Sequence, residues 1–360
     1  MNIPNYITGP YAVGTEIFTV TDAERTEVLG PGTGPRKMYV RMYYPAEKSA
    51  VEGLEKANIF TRRKLQALQK TFHFKMPEGE LPKADYYEGV KYVEGKKFPL
   101  VIYNHGYGAY AEANTYLCCE MASNGYIVAS IGHAYEEIAN EYEDGSFQLM
   151  DKNINKYMYG SFFGYLRMVF AQLKLLKEKG SPEEVFEKFD VFQKKYCAYI
   201  IERISVWAED TMCVVQELKK RYAQQIDFSK GIGATGHSLG GAVAYYLCQH
   251  EEEFACGVNI DGGVFGDYEG MVMKKPFLQI CCKENYNTMT RSLIRTEAFA
   301  RCEVFEDMKH IGFSDAKFMI LVAAVVGKMD GIEMYKRLSE CHFEVFDKYL
   351  KEVLDSHATS

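Results

Sequence analysis

The sequence has no long apolar run. Its longest, Phe318 to Val326, falls well short of the about 18 residues that a membrane-spanning helix needs, so no transmembrane segment is expected. The opening stretch MNIPNYITGPYAVG has neither a basic region nor an apolar core, and no secretory signal is expected from it. Positive charge is also in deficit: 42 Lys and Arg stand against 49 Asp and Glu, a net charge of −7. That balance argues against a nucleic-acid partner and gives no attraction to anionic lipid. Ten cysteines are present, but no C-x-x-C is among them. Vicinal pairs such as Cys118-Cys119 cannot bridge without strain, and most of the ten fall inside apolar strand or helix patterns. Reduced thiols in a cytoplasmic location are therefore expected. No acidic cluster with metal-ligand spacing occurs, so neither metal nor cofactor is anticipated. Repeats and low-complexity segments are lacking too. What remains is ordinary globular composition, 47% apolar and 25% charged over 360 residues, enough for one sizeable α/β core.

Against these absences stands one stretch, Gly231 to Ala244, reading GIGATGHSLGGAVA. Its front half is a small, apolar strand-like run, and from Leu239 to Gln249 the pattern turns helical. Between them Gly236-His237-Ser238-Leu239-Gly240 matches G-x-S-x-G, a strand–turn–helix nucleophile elbow. The glycines let strand and helix backbones meet so closely that side chains there would clash. Such a turn lifts Ser238 Oγ above the sheet, with the helix N-terminus and the Leu239 N–H facing nascent negative charge.

The rest of the chain reads as alternating strands and helices. Val13–Val20 and Met38–Tyr44 open a sheet as two antiparallel strands joined by the turn-rich residues 30–35. Residues 46–97 form a partly helical surface excursion, with a helix near Thr61–Thr71. Phe98–Asn104 is a short continuous apolar run, as a central parallel strand requires. A helix over Ala111–Asn124 and a strand over Tyr126–Ile131 complete a βαβ unit. Residues 145–228 interrupt the alternation with three helical stretches. Tyr157–Leu176 is aromatic, Glu183–Lys195 is of mixed charge, and Ile200–Tyr222 is long and amphipathic, placed to pack on the sheet. The aromatic stretch suits a lid over a cleft, a lipid-facing surface or an ordinary core insertion. Beyond the elbow come strands Phe254–Ile260, Pro276–Cys282 and Cys302–Met308. Helices are expected over Asn287–Arg301, Ser314–Lys328 and Ser339–Leu354.

A serine alcohol is a weak nucleophile near neutral pH and needs a base. Of the three histidines that follow the elbow by a useful distance, His342 falls in a helix and His357 in a polar tail, which leaves His310 in a strand-to-helix loop. In the order Ser, acid, His of an α/β hydrolase, Asp261 ends the first strand after the elbow helix; Asp267 and Asp307 compete with it. The acid would hold His310 in the correct tautomer. Two backbone N–H groups would form the oxyanion hole, Leu239 and, from the loop His105-Gly106-Tyr107-Gly108, Tyr107. His105 reads as a buried side chain that shapes this loop, His133 as a structural residue at a strand end, and His73 as a surface residue.

Several segments resemble the platelet-activating factor acetylhydrolases of the plasma/intracellular type II kind. Gly9 to Gly14 (GPYAVG), Tyr43-Tyr44-Pro45, residues 99–110 (PLVIYNHGYGAY) and Gly236 to Gly241 (GHSLGG) carry the similarity, which runs over most of the chain. The resemblance implies a single α/β-hydrolase domain over residues 1–360, a mostly parallel sheet flanked by helices with residues 145–228 as an insertion. It also implies a calcium-independent serine esterase of lipid metabolism that removes short or oxidised sn-2 acyl chains from phospholipids. It supports Asp261 as the acid, and His310 in an H-x-x-F-x-D setting with Phe313 and Asp315. The chain departs from the family pattern at Tyr107, where leucine is usual, at Gly262-Gly263 after Asp261, and across 145–228. A bulky Tyr107 is expected to narrow the acyl side of the cleft. Alternative readings are an esterase of small soluble or polyester-like esters, an acyltransferase with the same triad, or a non-catalytic binding protein of this fold. A small ester or phospholipid is the expected partner, with peripheral lipid contact; nothing in the sequence indicates an oligomeric state.

Overall fold

The computed structural model describes residues 7–72, 81–268, 270–289, 295–320 and 322–351. Eight strands carry the architecture: β1 (Ala12–Thr26), β2 (Pro35–Ala46), β3 (Phe98–Asn104), β4 (Ile127–His133), β5 (Ile232–His237), β6 (Phe254–Ile260), β7 (Phe277–Cys282) and β8 (Ala300–Phe305). They lie in the order β8-β7-β6-β5-β3-β4-β2-β1, with two-residue strands at Tyr87–Glu88 and Ile226–Asp227 added beside β1 and β3. β1 pairs antiparallel with β2, and β2 with β4, while the pairings from β4 to β8 are parallel. This is the mostly parallel, helix-flanked sheet of an α/β hydrolase.

Every residue of β3 is buried, because both faces of the sheet are covered. Val101 and Tyr103 point to the side packed by the helix Thr115–Ser123 and the C-terminal helix Gly331–Leu350, through Leu117, Met121, Leu338 and Phe346. Leu100 and Ile102 point the other way, to Trp207 and Val214 of the long helix Ala198–Arg221 and to Val243 and Leu247 of the elbow helix Leu239–His250. The period of two along the strand thus feeds two separate cores.

Between the long helix and the sheet edge lies a buried ionic network. Arg36 on β2 bonds both oxygens of Asp210 at 2.7 Å, and reaches Glu27 and Glu136 at 2.9 Å. Arg203 clamps the same Glu136 at 2.7 and 2.8 Å. Removing one partner from such a cluster leaves a buried charge uncompensated and costs about 3–5 kcal/mol.

Three helix expectations change. Over 287–301 only Tyr286–Met289 is helical; residues 290–294 lie outside the described residues, and Thr296 bridges to Met273 as extended chain. Ser314–Lys328 is two short pieces, Ala316–Met319 and Ala323–Val326, because the chain doubles back on Asp307. The Asp307 carbonyl accepts the Lys328 N–H at 2.7 Å, and Gly327 takes φ 85° to allow it. The last helix starts eight residues earlier than expected, capped by Asp330, whose side chain accepts from the Ile332 and Glu333 N–H groups. The stretch Tyr157–Leu176 is split at Gly160 into Ile154–Tyr159 and Phe162–Leu175, and the first strand runs on to Thr26; the remaining helices and strands fall within a few residues of where the sequence pattern puts them.

Candidate active site

Ser238 sits between β5 and the elbow helix with φ 56° and ψ −118°, a strained conformation for a side-chain-bearing residue. Its N–H donates to the Ile260 carbonyl at 2.9 Å, which ties the turn to the neighbouring strand. The motif glycines are dictated by contact: a Cβ on Gly240 would lie 1.9 Å from the Asn104 carbonyl oxygen, and one on Gly236 2.4 Å from the Gly240 carbonyl carbon. Two strand ends and a helix start meet here with no volume to spare.

Across the cleft, His310 Nε2 lies 2.9 Å from Ser238 Oγ, and its Nδ1 lies 2.7 Å from Asp261 Oδ2. Asp261 ends β6 with φ 53°, a left-handed conformation that Asp tolerates better than most residues. The carboxyl is fully buried and accepts further bonds from the Cys282 N–H at 2.9 Å and Asn285 Nδ2 at 2.8 Å. A carboxyl bonded at Nδ1 fixes the proton there and leaves Nε2 free to accept from the serine. Of the three candidate acids, Asp261 is the one whose carboxyl is seen at His310 Nδ1. His342 is buried elsewhere, against Thr235 Oγ1 at 2.8 Å. His73 and His357 lie outside the described residues.

The His310 loop is stapled from three sides; of these partners only Asp315 was marked in the sequence, through the family resemblance, and His237 and Asn114 were missed. His237, the residue before Ser238, donates from Nε2 to the His310 carbonyl at 2.9 Å; burial and the neighbouring His310 hold its pKa down at about 3, so it stays neutral. Asn114 Nδ2 donates to the Phe313 carbonyl at 2.7 Å. Asp315 accepts the Thr115 N–H at 2.9 Å and the Tyr335 hydroxyl, and burial pushes its carboxyl up to about 8. The residue before the serine in G-x-S-x-G was the available signal for His237.

The other wall is the loop after β3. A Cβ on Gly106 would stand 3.2 Å from Ser238 Cβ, so the peptide joining Gly106 to Tyr107 runs beside the serine. His105 is fully buried, as expected of a loop-shaping residue. His133 is structural: Asp210 and Asn104 bond its two nitrogens at 2.8 and 2.9 Å, and Trp207 stacks on it at 3.7 Å. Tyr107 lines the cleft on two sides. Its hydroxyl meets that of Tyr199 at 2.9 Å and its ring lies parallel to Trp207, so the side chain is drawn towards the long helix and becomes a partition. On one side is a cavity of about 220 Å³ lined by Phe72, Tyr110, Met319 and Ile320; on the other is one of about 410 Å³ lined by Leu175, Phe189, Phe192 and Met289. Ser238 and His310 border both.

Residues 1–330 match the sequence profile of the family described as "Platelet-activating factor acetylhydrolase, isoform II". The chain belongs to this family. It is accordingly a carboxylic-ester hydrolase. Among curated relatives, platelet-activating factor acetylhydrolase of Cavia porcellus is 23% identical over 361 residues, covering 95% of this chain and 77% of the relative. That of Gallus gallus is 25% identical over 171 residues, 46% of this chain and 39% of the relative. Among solved structures, the ferulic acid esterase from Streptomyces cinnamoneus superposes with a TM-score of 0.73 at 18% identity, covering 96% of this chain and 92% of that one; this likeness concerns the fold. Among the described residues no helix is long and apolar enough to cross a membrane.

Proposed function

We propose that this family member cleaves short acyl groups from phospholipid-like esters with Ser238 as nucleophile, His310 as base and Asp261 as its orienting acid. The observation that carries the reading is the pair of contacts at His310, 2.9 Å to Ser238 Oγ and 2.7 Å to Asp261 Oδ2. Ser238 Oγ attacks the ester carbonyl as its proton passes to His310 Nε2, and Asp261 stabilises the imidazolium that forms. The developing oxyanion is received by the backbone N–H groups of Leu239, at the helix start, and Tyr107. His310 then returns the proton to the leaving alcohol, and a water activated by the same nitrogen releases the acid from Ser238.

The two cavities suggest how substrate is divided. The smaller, largely apolar one suits a short acyl group; the larger, where Gln172, Asn285 and Thr288 interrupt the aromatic wall, suits the alcohol portion. Ester polarisation by backbone N–H groups needs no calcium. Ten unpaired thiols, eight of them buried, favour a reducing, cytoplasmic setting. The test is kcat/KM across an acyl series from acetyl to palmitoyl, on soluble and phospholipid esters, with and without EDTA. Acetyl to butyryl should be preferred and EDTA should change nothing. A rise towards long chains, or loss of rate with chelator, would contradict the reading.

A further inference from the structure

Beneath the Gly106–Tyr107 loop lies a buried cluster that the proposed reaction leaves unexplained. His105, Glu137 and Asn140 are all at least 99% buried. Among the described residues, His105 Nε2, Glu137 Oε1 and both polar atoms of the Asn140 side chain have no hydrogen-bond partner of normal geometry. His105 Nε2 stands 3.9 Å from Glu137 Oε2, with both side chains fully buried. We propose that Glu137 is a positioning residue of the oxyanion loop: as a neutral carboxylic acid it faces His105 Nε2, and so holds His105 in the tautomer that aims the Tyr107 N–H at the reacting ester. This rests on the reading of Ser238 and Tyr107 given above.

The geometry runs through one peptide plane. The Gly106 carbonyl accepts from His105 Nδ1 at 2.7 Å and from the Ala109 N–H at 2.9 Å. In a trans peptide the C=O and the following N–H point in opposite directions, so anchoring the Gly106 oxygen orients the Tyr107 N–H. A carbonyl can only accept, which places the imidazole proton on Nδ1. Burial and the nearby His133 hold the His105 pKa down at about 3, so the ring is neutral and Nε2 is a bare acceptor. A carboxylate facing it would set acceptor against acceptor; a protonated acid supplies the missing donor.

Glu137 is built to stay protonated. Burial pushes it up to about 8. The neighbouring cation, Lys64 from the helix Arg62–Phe72, is committed to Glu112 at 2.6 Å. Glu112 itself stays ionised, held at about 2 by Lys64 and Arg41 against its own burial, and disfavours a second negative charge. The Ala111 N–H donates to Glu137 Oε2 at 3.1 Å, and Asn140 lies beside Oε1 over Gly132. On the His105 side, His133 and the Trp207 ring complete the surroundings, with ring centroids at 5.5 and 5.0 Å. The backbone links the two segments directly: Gly108 N–H donates to the Glu136 carbonyl and Ile138 N–H to the Ala109 carbonyl, both at 2.9 Å. When Glu137 loses its proton, the imidazole proton is drawn to Nε2, the Gly106 carbonyl keeps only the Ala109 N–H of its two donors, and the Tyr107 N–H is held less firmly.

The experiment is the pH dependence of kcat on a soluble acetyl ester, followed by pH-stat, for the wild type, Glu137→Gln and Glu137→Leu. Wild-type kcat should fall about tenfold on the alkaline side, a partial version of the ~10²–10³-fold cost of removing an oxyanion donor. Its midpoint should lie near the Glu137 value of about 8. Glu137→Leu should lower kcat about tenfold at neutral pH with KM within about twofold, and Glu137→Gln, a permanent neutral donor, should rescue that loss and abolish the alkaline fall. In ¹⁵N spectra of the wild type, His105 should be the Nδ1–H tautomer at neutral pH and change form on the alkaline side. An unchanged alkaline limb in Glu137→Gln, wild-type kcat in Glu137→Leu, or an Nε2–H tautomer at neutral pH would overturn the proposal. Its failure is distinct from failure of the reading beneath it, which would appear as a wild type that neither hydrolyses the ester nor is labelled at Ser238.

Discussion

Around Ser238 the backbone leaves no space for a Cβ at Gly236 or Gly240. In the helix Phe162–Leu175 of the insertion, by contrast, Phe162, Phe163 and Phe170 stand 69 to 71% exposed. The other side of the same insertion presents Leu175, Phe189 and Phe192 to the larger cavity. The proposed chemistry thus sits in a region where strand ends and a helix start meet tightly. The proposed surroundings of the substrate come from a region with exposed rings on its other side. Exposed aromatic rings on one helix also favour peripheral lipid contact over a purely internal role for this segment.

Substitutions should separate the two regions cleanly. Ser238→Ala should lose turnover by ~10⁶-fold while circular dichroism shows the fold intact. Activity within a hundredfold of wild type would remove the serine from the mechanism. Asp261→Asn should lower kcat by ~10⁴-fold, since His310 loses both its orienting acceptor and its charge partner. A mild effect there, with a large one from Asp267→Asn or Asp307→Asn, would assign the acid elsewhere. In the insertion, Phe162→Ser with Phe163→Ser should leave kcat/KM on a soluble acetyl ester within about twofold. On phospholipid vesicles it should raise apparent KM by about tenfold, because two exposed rings at ~25 cal/mol per Å² are lost from the lipid contact. Equal effects on both substrates would show that the exposed rings do not meet lipid.

The same contrast explains what could be read in the sequence. The elbow was legible because its constraints are local: glycines two residues either side of a serine, between an apolar strand and a helix. Asp261 and His310 followed from chain order and from their position just beyond strand ends. The partners that hold them were not legible. His237, Asn114 and Asn285 act through contacts that join distant segments, such as Asn114 to the Phe313 carbonyl. The helices expected over 287–301 and 314–328 failed for a related reason. There, pairing of Thr296 with Met273 and the return of Lys328 to Asp307 override local periodicity. The Arg36–Asp210–Glu136–Arg203 network draws residues from three parts of the chain, and none carries a local mark of it.

The central claim, that Ser238 activated by His310 is the nucleophile, is tested most directly by covalent labelling. The protein is treated with a fluorophosphonate and the adduct located by peptide mass spectrometry, in the wild type and in His310→Ala. The account predicts a single adduct on Ser238 that forms at least about a hundredfold more slowly without the histidine, since a positioned general base contributes ~10²–10⁴-fold. An adduct on any other residue, or labelling of Ser238 at an unchanged rate in His310→Ala, would contradict it.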